Sequence, residues 1–260
     1  MTTPAPPGAA AGADAPTFAD PDLEHLHQRG YFDSLVGLVK GGKEATVYLV
    51  GRGEERLAAK VYADLESRSF RNDAGYWAGV YVPDRRVAKA LKQRSRVGQA
   101  AQQAIWVMRE YANLWRLVEA GLPVPRPAIG PAVSECAEAG SVVLMEFVGH
   151  GDTPAPRLSD VRLSAAEAEA AYRQSVDLLL RLARLGLVHG DFSTYNLLWH
   201  DGRVVLIDVP QLLEVASAAR QARELLERDV VSLVTSFRRH RVEGDAEALR
   251  REALRSLPRD

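Results

Sequence analysis

The chain has 260 residues, of which 47% are hydrophobic and 26% charged, and this composition predicts a globular protein of one or two domains. Its net charge of −1 and the lack of an apolar run of roughly 18 residues disfavour general nucleic-acid or membrane binding and favour a cytoplasmic protein. The single cysteine, Cys136, excludes an intrachain disulfide and a zinc site built from cysteines, and the spacing of the six histidines predicts no metal site.

The first hundred residues are predicted to form a tail, three strands and an insertion. Residues 1–22 are rich in Pro and Ala and lack the basic start and apolar core of a secretory signal, so we expect a disordered tail. Apolar runs at 35–40, 46–50 and 57–62, separated by glycines, predict consecutive antiparallel strands. Residues 63–100 are polar and Arg-rich, and we interpret them as a long, irregular insertion.

A helix and a further strand follow the insertion. Apolar spacing, together with Gly121, predicts a helix over residues 101–120. Its inward face is predicted to comprise Ile105, Met108, Ala112 and Trp115. Residues 141–148 form the next predicted strand, so residues 23–148 are expected to build a small, strand-rich lobe.

The second half of the chain is predicted to be mainly helical. A capping box, Ser164 with Glu167, opens a helix that ends at Gly186. Strands at 197–199 and 203–207 follow, and then a helix at 224–240. The inward residues of that helix are predicted to be Leu226, Val230, Leu233, Val234 and Phe237. These elements predict an α+β protein whose second, helical lobe covers residues 149–260, with a ligand cleft between the lobes.

The strongest functional signal is HGDFSTYN at residues 189–196, followed by LID at 206–208. Phosphoryl transfer from ATP requires a carboxylate near the acceptor hydroxyl and oxygen ligands for Mg²⁺. Asp191 could orient or deprotonate the acceptor, while Asn196 and Asp208 could hold the metal. The structural alternative is a turn at His-Gly-Asp and a helix cap at Asp208.

A second signal is Lys60, in the apolar run LAAKVY at residues 57–62. A lysine in the middle of an apolar strand is costly unless it is paired or faces a cleft. In a nucleotide site it would grip the α and β phosphates, and Glu110, in the middle of the predicted helix, is the candidate partner. Taken alone, Lys60 could instead extend outward from an edge strand.

A third signal is GGKEATVY at residues 41–48, between the first two predicted strands. Glycines let the backbone approach phosphates and a lysine adds charge, so this loop is predicted to contact the nucleotide. The residues concerned are Gly41, Gly42, Lys43, Glu44, Ala45 and Val47. The segment is neither GxGxxG nor a P-loop, and by itself it is more typical of a hairpin turn.

These motifs resemble the protein-kinase-like superfamily, and more closely the atypical RIO kinases. Three first-lobe segments are similar to the family's GKEANVY, LAIKIY and WAEKEFRNL motifs: GKEATVY at 42–48, LAAKVY at 57–62 and WVMREYANL at 106–114. Three later segments are similar to its hinge, its HGDLSEYN loop and its IDxxQ segment: VLMEFVG at 143–149, VHGDFSTYN at 188–196 and IDVPQ at 207–211. The similarity runs in order from about residue 23 to residue 240 and favours the branch without a winged helix.

The resemblance implies a bilobal protein-kinase-like fold without a normal activation loop. It implies a serine/threonine-protein kinase that uses ATP with Mg²⁺, or with Mn²⁺. Adenine would bind the hinge backbone at Glu146 and Val148, with Met145 at the back of the pocket. The resemblance also implies that Asp229 braces the catalytic loop. The catalytic residues would be Lys60, Asp191 and Asp208.

Other functions and the partner remain open at this point. A small-molecule phosphotransferase of the aminoglycoside or choline kinase type shares HxDxxxxN and the following Asp, and an ATPase or autophosphorylating enzyme would use the same residues. A non-catalytic scaffold is disfavoured because every reactive position is present. The protein substrate is unknown, and the chain itself is one possibility. The basic residues of 85–96 are either a solvated face or a binding surface for an RNA-rich, ribosome-associated or acidic partner.

Overall fold

The computed structural model describes residue 18, residues 20–63 and residues 96–258, with only the backbone for 96–102. Its helices are α1 (Pro21–Gln28), α2 (Arg96–Glu119), α3 (Val133–Ala137), α4 (Ala165–Arg184), α5 (Ala219–Phe237) and α6 (Ala246–Ser256). Its strands are β1 (Ser34–Lys40), β2 (Ala45–Arg52), β3 (Glu55–Tyr62), β4 (Val142–Glu146), β5 (Gly149–His150), β6 (Thr153–Pro154), β7 (Leu187–Val188), β8 (Leu197–His200), β9 (Arg203–Leu206) and β10 (Leu213–Glu214). Within these ranges no helix is long and apolar enough to cross a membrane.

The predicted tail and insertion fall largely outside the described residues. The basic stretch at 85–96 lies outside them as well, apart from the backbone of its last residue. The tail boundary at residue 22 needs correction, because α1 begins at Pro21. The carboxylate of Asp20 accepts the N–H groups of Asp22 and Leu23 and so caps the helix. The N–H of Ser141, next to β4, donates to Asp22, and this bond ties the helix to the first lobe.

The first lobe is an antiparallel sheet in the order β1-β2-β3-β4. The three strands predicted at 35–40, 46–50 and 57–62 are confirmed, each with a slightly longer extent. The last six residues of β3 are buried. Since side chains alternate across a strand, Ala58, Lys60 and Tyr62 line the cleft while their neighbours join the core. The predicted strand at 141–148 is shorter, and the chain leaves the sheet after Glu146.

Helix α2 is confirmed, but its predicted inward face was wrong in part: Met108 packs against the core, whereas Ala112 does not. Ala112 is exposed, and the buried side chains of the helix are Val107, Glu110, Tyr111, Leu114 and Leu117. The helix is therefore rotated by about one residue, roughly 100°, from the predicted orientation. The stripe of Val107, Tyr111, Leu114 and Leu117 is as regular as the predicted one, so apolar spacing by itself does not choose between them. The hydroxyl of Tyr111 donates to the carbonyl of Val142 and accepts the N–H of Leu144, and these bonds hold this face against β4.

The second lobe packs α4, α5 and α6 around a buried apolar core. The capping box of Ser164 and Glu167 is confirmed at the start of α4. Helix α5 buries all five predicted residues, but it begins at Ala219, five positions earlier than predicted, because its first turns are polar and carry no apolar spacing. Residues 209–218 join Asp208 to α5, and within them β10 pairs with β7. A long activation loop is therefore absent from this described segment, as the resemblance implied.

Candidate active site

A cavity of about 820 Å³ lies between the two lobes. Most of the predicted site residues line it: Gly42, Lys43, Glu44, Ala45, Val47, Lys60, Glu110, Met145, Glu146, Val148, Asp191 and Asp208. Gly41 and Asn196 are not among its lining residues. Asn196 is buried instead, at the end of the 189–196 segment, which we call the catalytic loop. The fold thus brings the three separate sequence signals to one cleft.

Lys60 is held by two carboxylates and is only 11% exposed at its side chain. Its ammonium nitrogen lies 2.8 Å and 3.0 Å from the two carboxylate oxygens of Glu110, and 2.8 Å from Oδ1 of Asp208. Burial by itself would lower the pKa of Lys60. The charges of Asp208 and Glu110 outweigh that effect and raise the pKa well above its ordinary value. Lys60 is therefore expected to be charged at neutral pH.

Tyr62, two residues after Lys60 on the same face of β3, completes this cluster. Its hydroxyl donates to Oε2 of Glu110. Burial and the nearby charge of Glu110 raise the pKa of Tyr62 well above its ordinary value, so the hydroxyl keeps its proton. Glu110, 1% exposed at its side chain, thus accepts from both β3 residues and is held rigidly under the cleft.

Asp208 lies after β9 with its side chain 41% exposed to the cleft. Its φ of 65° is in the left-handed region, which Asp tolerates better than most residues. Burial of the carboxyl group would raise the pKa of Asp208, but the charge and hydrogen bond of Lys60 outweigh it and hold the pKa below its ordinary value. Asp208 is therefore an anion at neutral pH and a possible metal ligand.

Asp229 of α5 supports the backbone of the catalytic loop by hydrogen bonds. Its carboxylate accepts the N–H of Gly190 at 2.8 Å and the N–H of Phe192 at 2.9 Å, on either side of Asp191. The amide nitrogen of Asn196 donates to the carbonyl and to Oδ2 of Asp191, both at 2.9 Å. These four hydrogen bonds fix the backbone and the carboxylate of Asp191. Burial raises the pKa of Asp191, a direction that suits a general base.

Helix α2 also holds the loop that follows Asp208. The amide nitrogen of Asn113 donates to the carbonyl of Val209, and the guanidinium of Arg109 donates to the carbonyl of Leu212. The amide of Gln211 donates to the carbonyl of Asp208 itself. The helix that carries Glu110 therefore also positions the carboxylate that faces Lys60.

The RIO domain, as a protein family, matches residues 46–250 of this chain. The chain belongs to the RIO family. The RIO-type serine/threonine-protein kinase Rio1 of Haloferax volcanii is 35% identical over 237 residues, which cover 91% of this chain and 73% of that protein. The protein of the same name from Thermoplasma acidophilum is 30% identical over 204 residues, 78% of this chain and 96% of that protein. The human serine/threonine-protein kinase RIO1 is 32% identical over 217 residues, 82% of this chain but only 35% of the relative.

The RIO match confirms the family and the bilobal, protein-kinase-like fold that the sequence motifs predicted. Lys60, Glu110, Asp191, Asn196 and Asp208 all lie within the matched region.

Some residues of this RIO cleft escaped the sequence analysis. Tyr62 could have been found from the sequence, because it lies two residues after Lys60 on the same strand and therefore on the same face. Arg228 precedes Asp229 and lines the cavity, and its charge offsets part of the rise that burial causes in the pKa of Asp191. Arg157 also lines the cavity, where its charge adds to the larger effect of Lys60 on the pKa of Asp208, and no sequence pattern marks it.

Proposed function

We propose that this RIO-family chain transfers the γ-phosphoryl group of ATP to serine or threonine hydroxyls of proteins. The observation that carries the proposal is the position of Lys60 between Glu110 and Asp208, in the same cleft as the braced Asp191. Phosphoryl transfer depends mainly on positioning and electrostatic stabilisation. This cleft supplies a buried cation for the phosphates and a carboxylate for the acceptor hydroxyl.

Each residue has a distinct task in this proposal. Lys60 binds the α and β phosphates, and Glu110 keeps its ammonium group in place. Asp191 orients the acceptor hydroxyl and takes its proton. The loop at 41–45 covers the phosphates, and Lys43 adds a positive charge there.

The donor set below the phosphates fits Mg²⁺, which prefers oxygen ligands. Because the amide nitrogen of Asn196 is engaged by Asp191, its amide oxygen is the atom left for a metal. Asp208 bonds to Lys60 through Oδ1, and its partial exposure leaves the other oxygen available. Mg²⁺ held by these two residues would neutralise charge on the phosphate oxygens, and Mn²⁺ has similar ligand preferences.

Adenine recognition is assigned to the hinge backbone. The N–H of Glu146 donates to the carbonyl of Arg126, and the carbonyl of Val148 accepts the N–H of Ala155. The Glu146 carbonyl and the Val148 N–H are therefore the hinge groups that we assign to the adenine edge. Met145 lines the same cavity beside them.

The proposal is tested by incubating the chain with γ-labelled ATP and Mg²⁺, with and without cell extract. We expect labelled proteins, and we expect the rate of labelling to fall strongly in Asp191→Asn and in Asp208→Asn. Asp177→Asn, the same change on the exposed face of α4, is the matched control and should retain transfer. Label on small hydroxyl compounds, with none on protein, would instead favour the small-molecule phosphotransferase.

We also propose that the enzyme labels itself or hydrolyses ATP when no partner is bound, because residues 209–218 provide no long loop to position a peptide. Free phosphate and self-labelling are measured in the assay without extract. Treatment with hydroxylamine identifies the acceptor, since an acyl phosphate on a carboxylate such as Asp208 is cleaved while phosphoserine is stable.

A further inference from the structure

Two hairpin tips bring two histidines and one aspartate together outside the cleft. His150 of β5 pairs with Thr153, and His200 of β8 pairs with Arg203, so each histidine directly precedes a two-residue turn. In the second turn Asp201 and Gly202 have φ values of 49° and 72°. Positive φ at both positions is typical of a tight type I′ hairpin, which fixes the backbone of Asp201.

The three side chains converge on one point. Nε2 of His150 lies 2.8 Å from Oδ1 of Asp201, and Nε2 of His200 lies 3.6 Å from Oδ2 of the same carboxylate. The centres of the two imidazole rings are 4.7 Å apart. One possible ligand atom from each residue lies within 4.8 Å of the other two. Among the described residues, no other group of three His, Cys, Asp or Glu side chains is so close together. The 51 positions between His150 and Asp201 hide this cluster from any local spacing rule.

We propose that His150, His200 and Asp201 form a binding site for Zn²⁺. Two imidazole nitrogens and a carboxylate oxygen are ligands that zinc binds at about 2.0–2.2 Å. Bonds of that length bring ligand atoms closer together than 4.8 Å, and His150, with its side chain 73% exposed, is free to make the adjustment. Three protein ligands leave a fourth position for water. Mg²⁺ and Ca²⁺ prefer oxygen ligands and are not expected here.

The neighbouring carboxylate has a different partner. Asp152 lies in the same turn as His150, but its Oδ1 accepts from Nε of Arg56 of β3 at 2.6 Å. The β5–β6 tip is thus attached to a first-lobe strand, while β8 follows Asn196 and β9 leads to Asp208. Zinc would connect these two hairpins and stabilise them relative to each other, without entering the phosphoryl-transfer site.

Zn²⁺ titration of the full chain by calorimetry, in the presence of excess Mg²⁺ and ADP, tests the proposal. We expect one equivalent of Zn²⁺ to bind and the midpoint of thermal unfolding to rise. Co²⁺ in place of Zn²⁺ should give a visible absorption band. Loss of residues that merely support a metal ligand weakens binding by about 10–100-fold. His150→Ala and His200→Gln, which remove ligands, should weaken it by at least that much. His25→Ala, which removes an exposed histidine from α1, is the matched control and should bind zinc normally.

Three results would overturn the site. The first is the absence of saturable zinc binding by the unchanged chain, and the second is equal affinity in His150→Ala and the unchanged chain. The third is loss of binding in Asp208→Asn with retention in His150→Ala, which would place the zinc in the nucleotide cleft. Retained binding in Asp208→Asn with loss in both histidine variants supports the proposal.

Discussion

The ammonium nitrogen of Lys60 lies 2.8 Å from Oδ1 of Asp208, although 148 positions separate the two residues. The same nitrogen bonds to Glu110, so one atom joins β3, α2 and the loop after β9. Phosphate oxygens that reach Lys60 would take the place of the Asp208 carboxylate. We therefore expect nucleotide binding to exchange one anionic partner of Lys60 for another and to free Asp208 for the metal.

Lys60→Arg should lower kcat/KM by roughly 100-fold or more, although the charge is kept. The planar guanidinium is larger than the ammonium group. It cannot donate to both Glu110 and Asp208 in the same way, because the Lys60 side chain is only 11% exposed and has little room. Phosphate release and transfer to protein measure the effect. Arg223→Lys, the reverse exchange at an exposed residue of α5 outside the cavity, is the control. Near-normal turnover of Lys60→Arg would remove Lys60 from the proposed mechanism.

Tyr62→Phe should lower the free energy of unfolding by about 1.5 kcal/mol, because a hydrogen bond to a buried carboxylate is lost. Turnover should also fall, since Glu110 then depends on Lys60 alone for its position. Tyr111→Phe removes another buried hydroxyl, which bonds to β4 backbone outside the cleft. This control should lose stability with little loss of turnover at saturating ATP. Equal turnover losses in both variants would argue against a positioning role for Tyr62.

Asp208→Asn and Asp191→Asn should fail in different ways. Asn tolerates the positive φ of residue 208, so Asp208→Asn should fold, but its apparent affinity for Mg²⁺ in ATP turnover should fall. Asp191→Asn should slow transfer to hydroxyls and leave nucleotide affinity nearly unchanged. Turnover as a function of Mg²⁺ concentration, together with ATP binding by calorimetry, separates the two. An unchanged Mg²⁺ dependence in Asp208→Asn would contradict its assignment as a metal ligand.

His189 and Asp229 should make the stability of the chain depend on pH in opposite senses. Burial lowers the pKa of His189 to about 4, so the unfolded chain binds its proton first, and stability is lost as the pH falls from about 6.5 to 4. Burial raises the pKa of Asp229 to about 6, so the folded chain binds its proton first, and stability is gained as the pH falls from 6 to about 4. Each effect is at most about 3 kcal/mol, so the two should largely cancel between pH 4 and 6.

Single variants separate these two titrations. Relative to the unchanged chain, His189→Gln should gain free energy of unfolding between pH 6 and 4, because the loss caused by His189 is removed. Asp229→Asn should lose free energy of unfolding relative to the unchanged chain over the same range, because the gain from Asp229 is removed. Asp229→Asn should also be less stable at pH 7. The two carboxylate oxygens of Asp229 accept from Gly190 and Phe192, and an amide has only one oxygen, so one of these N–H groups loses its acceptor. Denaturant unfolding at several pH values measures both slopes, and identical slopes in the two variants would contradict the assignment.

The sequence by itself predicted the candidate site residues and the order of the elements. HGDFSTYN, LID and LAAKVY are continuous segments, and the chemistry of their side chains is readable without a fold. Strand and helix positions were predictable for the same reason, because alternation, capping and glycine breaks act over a few neighbouring residues. Even so, the orientation predicted for α2 from apolar spacing was inaccurate, because Glu110 and Tyr111 are buried while Met108 and Trp115 are only partly buried.

Only the tertiary structure decided which distant groups meet. The contact of Lys60 with Asp208 and the bond from Tyr62 to Glu110 depend on how β3, α2 and the loop after β9 pack together. The cluster of His150 with Asp201 depends on two hairpin tips that are far apart in the chain. Such contacts leave no periodic trace in the sequence, because each arises from the packing of whole elements against one another and not from the spacing of neighbouring residues.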